Sequence, residues 1–137
     1  MDSAFADAPA YKSMNMMIPM IMYWITKKDK CLRKCILPMA VTDENIDDET
    51  YATVKSSIDY VKIKVGMPSD VYGDDMKKCK APTLVMAGQN DCLFPANLVI
   101  PRAKEIISNC TTYLLKEIGH LHKLSAEEEK MIIDFLN

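Results

Sequence analysis

Glycine is scarce in this sequence. Four occur in 137 residues, Gly66, Gly73, Gly88 and Gly119, and no two stand four apart. An excess of basic charge is also missing: 17 lysines and arginines face 19 aspartates and glutamates, for a net charge of −2. No basic stripe is available to neutralise phosphates, which argues against nucleic acid as a partner. Nor is there an apolar run of the roughly 20 residues a membrane-spanning helix needs. The candidate "MNMMIPMIMYWI", Met14 to Ile25, is twelve residues long and is interrupted by Asn15 and Pro19. It does not read as a signal peptide either, because Asp2 and Asp7 precede it and "TKKDK" comes after it where small residues belong. Five cysteines without a signal peptide point to a reducing, cytoplasmic setting. Cys31 and Cys35 share a helix face, but two thiols fall short of the about three or four ligands a metal site requires. They read as packing residues, and no cofactor is expected.

What is present is ordinary for a globular chain: 49% hydrophobic residues, 26% charged, mean hydropathy −0.07. The length suits one domain or part of a larger one. Residues 1–75 read as helical. Pro9 fits a first helical position, and Pro19 is expected to kink or split the helix around it. The methionines at 14, 16, 17, 20 and 22 read as adaptable packing surface. Tyr51, Val54, Ile58, Val61 and Val65 step by three and four, the stripe of an amphipathic helix. An acidic start, "DENIDDE", suits its positive end, and Gly66 with Pro68 is the expected stop.

Residues 76–137 have a different texture. "PTLVMAG" is a continuous apolar run closed by Gly88, the pattern of a strand covered on both faces. A helical segment comes next with Val99, Ile100, Ala103, Ile106 and Ile107 apolar, opened or bent by Pro101. "TTYLLKEIG", Thr111 to Gly119, reads as a second strand with Tyr113 and Leu115 on one face. Ser125 and Glu128 form a capping box before a helix whose stripe is Met131, Ile132, Phe135 and Leu136. Strand, helix, strand, helix is a βαβα unit with two parallel strands. The fold class is therefore α/β. Two parallel strands make a poor sheet alone, and the first would leave an apolar edge, so completion by self-association into a homo-oligomer is expected.

Chemistry in a parallel sheet gathers at the carboxyl ends of its strands. Asp91 stands three residues past Gly88, and His120 directly succeeds Gly119. Adjacent parallel strands would bring these loops together, letting a carboxylate orient an imidazole. A single Asp after a strand more often caps a turn, and a single His is usually structural. Their pairing at two strand ends, acid before histidine, is what raises the catalytic reading. His122 reads as a surface residue. Cys92 lacks a base of its own and reads as packing.

The ordered set Gly88, Asp91, Pro95, Gly119 and His120, within "CKAPTLVMAGQNDCLFP" and "YLLKEIGHLHKLSAEEEKMIIDFL", resembles the carboxyl-terminal end of an α/β-hydrolase. The likeness covers roughly Met76 to Asn137. It implies a partial hydrolase fold, with residues 1–75 similar in position and character to the family's lid and "MDSAF" similar to the end of the strand before it. On that reading Met1 falls inside the family fold. The resemblance also implies that His120 is a general base and Asp91 its orienting acid, with Asp2 as the alternative acid. It implies a carboxylic-ester-like small-molecule substrate, with the lid facing an apolar acyl or ester group, and no metal or diffusible cofactor. One departure is decisive: the family's nucleophile sits in G-x-Nu-x-G, and the glycine spacings here allow no such turn. The family's oxyanion loop also lies upstream. The expectation is an acid and a histidine without a nucleophile, inactive as a 137-residue chain.

Overall fold

The computed structural model describes residues 10–61 and 73–137, with the side chains of 10–14 and 73 left aside. Two helices come first, α1 Ala10–Thr26 and α2 Asp29–Ala40, turned back on each other by Lys27 at φ 53°. Pro19 lies inside α1 but does not split it. The lost hydrogen bond falls where the next turn is anchored by Tyr23, only 1% exposed against α2. A short 3-10 turn, Asp43–Asn45, leads into α3, Asp48–Tyr60.

Tyr23, Leu32, Ile36, Ala40 and Ile46 are the buried centre of this helical layer, with Tyr51, Val54 and Ile58 packed against it. Burying a leucine such as Leu32 contributes about 2 kcal/mol, so the cluster is a core in its own right. The three-four spacing of α3 thus does what its pattern predicts. The helix ends sooner than expected: Val61 is already extended at φ −81°, ψ 120° and 63% exposed. A side chain as exposed as Val61 gains little from another turn. Val65, Gly66 and Pro68 lie outside the described residues. Cys35 is buried in the packing role expected, Cys31 is half-buried, and no metal-ligand cluster exists among the described residues.

After a single turn, α4 Gly73–Met76, the chain forms β1 Thr83–Gly88, α5 Ala96–Ile106, β2 Cys110–Leu115 and α6 Ala126–Leu136. The strands pair in parallel from Thr83 with Cys110 to Gly88 with Leu115. Helix α5, which holds Pro101 in its interior, covers one face: Val85 and Ala87 meet Ala96, Val99, Ala103 and Ile106. The other face is less covered, with Tyr113 on it 39% exposed. The second strand stops at Leu115 instead of Gly119, because Glu117 turns into the left-handed region at φ 59°. No described helix is long and apolar enough to cross a membrane.

The capping box at α6 is present. Ser125 Oγ accepts from the Glu128 amide at 3.3 Å, and the Glu128 carboxylate accepts from the Ser125 amide at 2.7 Å. That backbone hydrogen bond, more than the His122 imidazole also bonded to it, holds the Glu128 carboxyl below the ordinary glutamate range. A depressed carboxyl pKa stabilises the fold above the unfolded-state value, and that contribution disappears as pH falls through the folded value. Glu128→Gln is therefore expected to be less stable than the parent near neutrality. The difference should shrink in urea titrations run below the ordinary carboxylate range; a constant difference would contradict the linkage.

Candidate active site

Gly88 ends β1 where the chain after β2 crosses it. A Cβ built on Gly88 would lie 2.7 Å from the Ile118 carbonyl oxygen, a separation real side chains do not adopt. The bare α-carbon lets the crossing happen, and amides of the β1 loop then bond to it. Gln89 N donates to Leu115 O at 2.9 Å, and Asn90 N to Ile118 O at 2.9 Å. Glu117 N returns a bond to Gln89 Oε1 at 3.2 Å. The two loops are stitched together before either presents a reactive side chain.

Asp91 is 9% exposed, so leaving its side-chain oxygens without hydrogen-bond partners there would be costly. It has three partners. Oδ1 accepts from the Leu93 and Phe94 amides at 2.7 and 2.9 Å, an Asx-type turn closing toward Pro95 and α5. Oδ2 faces His120 Nδ1 at 3.0 Å. The Phe94 ring stands 5.9 Å from the imidazole, centre to centre and tilted by 44°. The His120 side chain keeps 33% of its surface open, compared with 11% for Asp91. An acidic partner at Nδ1 favours the tautomer with its proton there and leaves Nε2 as the basic nitrogen.

The two residues singled out from sequence are thus brought into direct contact. Asp2 lies outside the described residues. Cys92 is buried, as a packing residue should be, and its Sγ sits 3.7 Å from Met16 Sδ, which brings α1 over the Asp91 loop. Met17 and Met22 are about half exposed. His122 is not the surface residue expected: its side chain is 21% exposed and bonds Glu128 at 2.7 Å through Nε2. The amides of Leu93 and Phe94 escaped sequence reading, although an Asp two and three residues before them is the usual Asx-turn signal.

Three solved structures share this arrangement of elements. Naproxen esterase (carboxylesterase NP) from Bacillus subtilis is similar over 97% of this chain and 47% of its own, at TM-score 0.73 and 10% identity. Carboxylesterase CesB (YbfK) from Bacillus subtilis is similar over 98% and 48%, at TM-score 0.73 and 15% identity. A meta-cleavage product hydrolase (CumD) variant is similar over 80% and 46%, at TM-score 0.52 and 18% identity. The chain has a partial α/β-hydrolase fold. It spans about half the length of the solved structures it matches. No protein-family model matches the sequence, nor does any curated protein.

Within this hydrolase fold, Asp91 and His120 occupy the ends of neighbouring parallel strands, and their pairing can be read in solution. In the nitrogen-15 spectrum of His120 the proton should reside on Nδ1. Asp91→Asn should shift the neutral ring toward a mixture of tautomers. An unchanged ring spectrum in that variant would mean the 3.0 Å contact does not orient the imidazole.

Proposed function

We propose that this chain is the lid-like and carboxyl-terminal part of a carboxylic-ester hydrolase of the Ser-His-Asp type. The observation that carries the proposal is the Oδ2–Nδ1 contact at 3.0 Å between two strand-end loops, in a fold otherwise similar to two carboxylesterases. His120 Nε2 is the general base: it takes the proton of a serine hydroxyl and later returns it to the leaving alcohol. Asp91 holds the ring in the required tautomer and stabilises the imidazolium formed in between. The serine and the oxyanion donors come from a segment carrying G-x-S-x-G that is not among these 137 residues, so the chain by itself turns over no ester. The substrate class is a small ester with an apolar group under the Met-rich α1. A cytoplasmic setting fits five cysteines of which none is in a disulfide.

This division of parts sets the assay. The 137-residue chain alone should leave short p-nitrophenyl esters untouched. Co-expressed with, or joined to, a hydrolase segment carrying G-x-S-x-G, it should hydrolyse them. His120→Ala or Asp91→Asn should then lower kcat by roughly 10³- to 10⁴-fold. Activity that survives both substitutions would remove the roles assigned here.

A second reading, compatible with the first, is that the chain pairs with a second copy of itself. The supporting observation is apolar surface left open on α1 and α6, with Ile18 58%, Trp24 52%, Ile25 75%, Ile133 57% and Leu136 75% exposed. Such a surface beside a two-stranded sheet favours a symmetric dimer or a domain swap. Native mass spectrometry at micromolar concentration should give twice the chain mass, and a clean monomer would count against it.

A further inference from the structure

His120 sits in a loop that meets the sheet through the Ile118 and Gly119 carbonyls at Gly88 and makes its further contacts to the helical layer. Just before it, Gly119 is buried against the Met39 carbonyl and the Val41 side chain, with no room for a Cβ. Just after it, the Leu121 amide donates to that same Met39 carbonyl at 3.0 Å. The Leu121 side chain packs onto the core of Tyr23, Leu32 and Ile36. Val41, at φ 73° and ψ −48°, occupies a conformation that a β-branched residue rarely adopts. That conformation ends α2 with the Met39 carbonyl and the Val41 side chain both toward Gly119.

The fourth contact is polar. Lys123 Nζ bonds Asp47 Oδ2 at 2.7 Å and Glu49 Oε2 at 2.6 Å. Asp47 is also the N-cap of α3, accepting from the Thr50 amide at 2.7 Å. Lys123 therefore closes onto the start of a helix whose first turn is already fixed. The three residues line one cleft of about 560 Å³ between the histidine loop and α3. Downstream, His122 and Ser125 tie the other end of the loop to Glu128.

We propose that the helical layer is a splint for His120, and that Lys123 is the positioning residue that locks the loop against it. Lys123 touches no reacting atom; it acts by restricting how far the loop can lift His120 from Asp91. The inference rests on the pair described above and adds to it a distant source of control. Both charge pairs are exposed to solvent, so the lock is screened by salt.

The test uses the chain as it stands and the nitrogen-15 tautomer signature of His120. Lys123→Ala should lower the ratio of Nδ1–H to Nε2–H forms by about two- to fivefold, the size of effect exposed ion pairs produce. The urea midpoint should move little. Lys123→Arg should restore the parent ratio. One molar sodium chloride should reproduce the alanine result in the parent and add little to it in Lys123→Ala. A parent-like ratio in Lys123→Ala overturns the proposal, and so does a salt response equal in both proteins. If Asp91→Asn changes the signature while Lys123→Ala does not, the pair stands and only the splint is lost. If Asp91→Asn changes nothing, the pair fails and the splint has nothing to hold.

Discussion

The close approach of backbone at Gly88 and Gly119 is the constraint on which the site depends. At Gly88, the missing Cβ lets the Ile118 carbonyl lie against the end of β1. At Gly119, it lets the end of α2 press on the loop that carries His120. One glycine joins strand end to strand end, and the other joins sheet to helical layer. Any side chain at Gly88 would meet backbone atoms, which cannot swing aside as the tip of a flexible side chain would. Elsewhere glycine is nearly absent, since a helical layer and two short strands need none. The chain also carries conformational strain at Val41, of order 1–3 kcal/mol for a residue held in so sparse a region. That strain is sustained because the helical core over-determines the position.

Asp91 resolves a choice that its sequence position left open. An aspartate after a strand either closes a turn or orients a base, and the two readings compete when only the residue type is known. In the fold they belong to different oxygens. Oδ1 is taken up by the Leu93 and Phe94 amides, while Oδ2 is left for His120. The turn fixes the plane of the carboxylate, so the second oxygen points at the imidazole without a further side chain to aim it. Turn-capping is thus what makes the orientation possible, and the buried side chain has a partner at each oxygen.

Much of this is legible in the residues because it derives from periodicity and chain order. The run Thr83 to Gly88, the apolar positions of α5 and the Ser125–Glu128 box each carry a local signal. Strand ends in a parallel sheet then bring Asp91 and His120 to one side. Several misses share a cause. The end of β2 at Leu115 is set by a partner distant in sequence, since its carbonyl accepts from the Gln89 amide. Ile118 resembles a continuation of the strand because it is apolar, but its carbonyl is committed to Asn90. The contact of Gly119 with Met39, and that of Lys123 with Asp47, join residues more than seventy positions apart. No spacing rule reaches that far. His122 reads as exposed for a more local reason, since its partner Glu128 lies six positions on, in the next helix.

The helical layer and the two-stranded sheet contribute unequally, and the inequality bears on how such a site is built. A pair of parallel strands has little independent stability, and here α5 covers only one of its faces. The helical layer, by contrast, encloses Tyr23, Leu32, Ile36 and Ala40 almost completely. Both strand-end loops have a contact to that layer: Cys92 through Met16, and the histidine loop through Met39, Leu121 and Lys123. The acid and the histidine are therefore tied both to each other's strand ends and to the better-packed part of the chain.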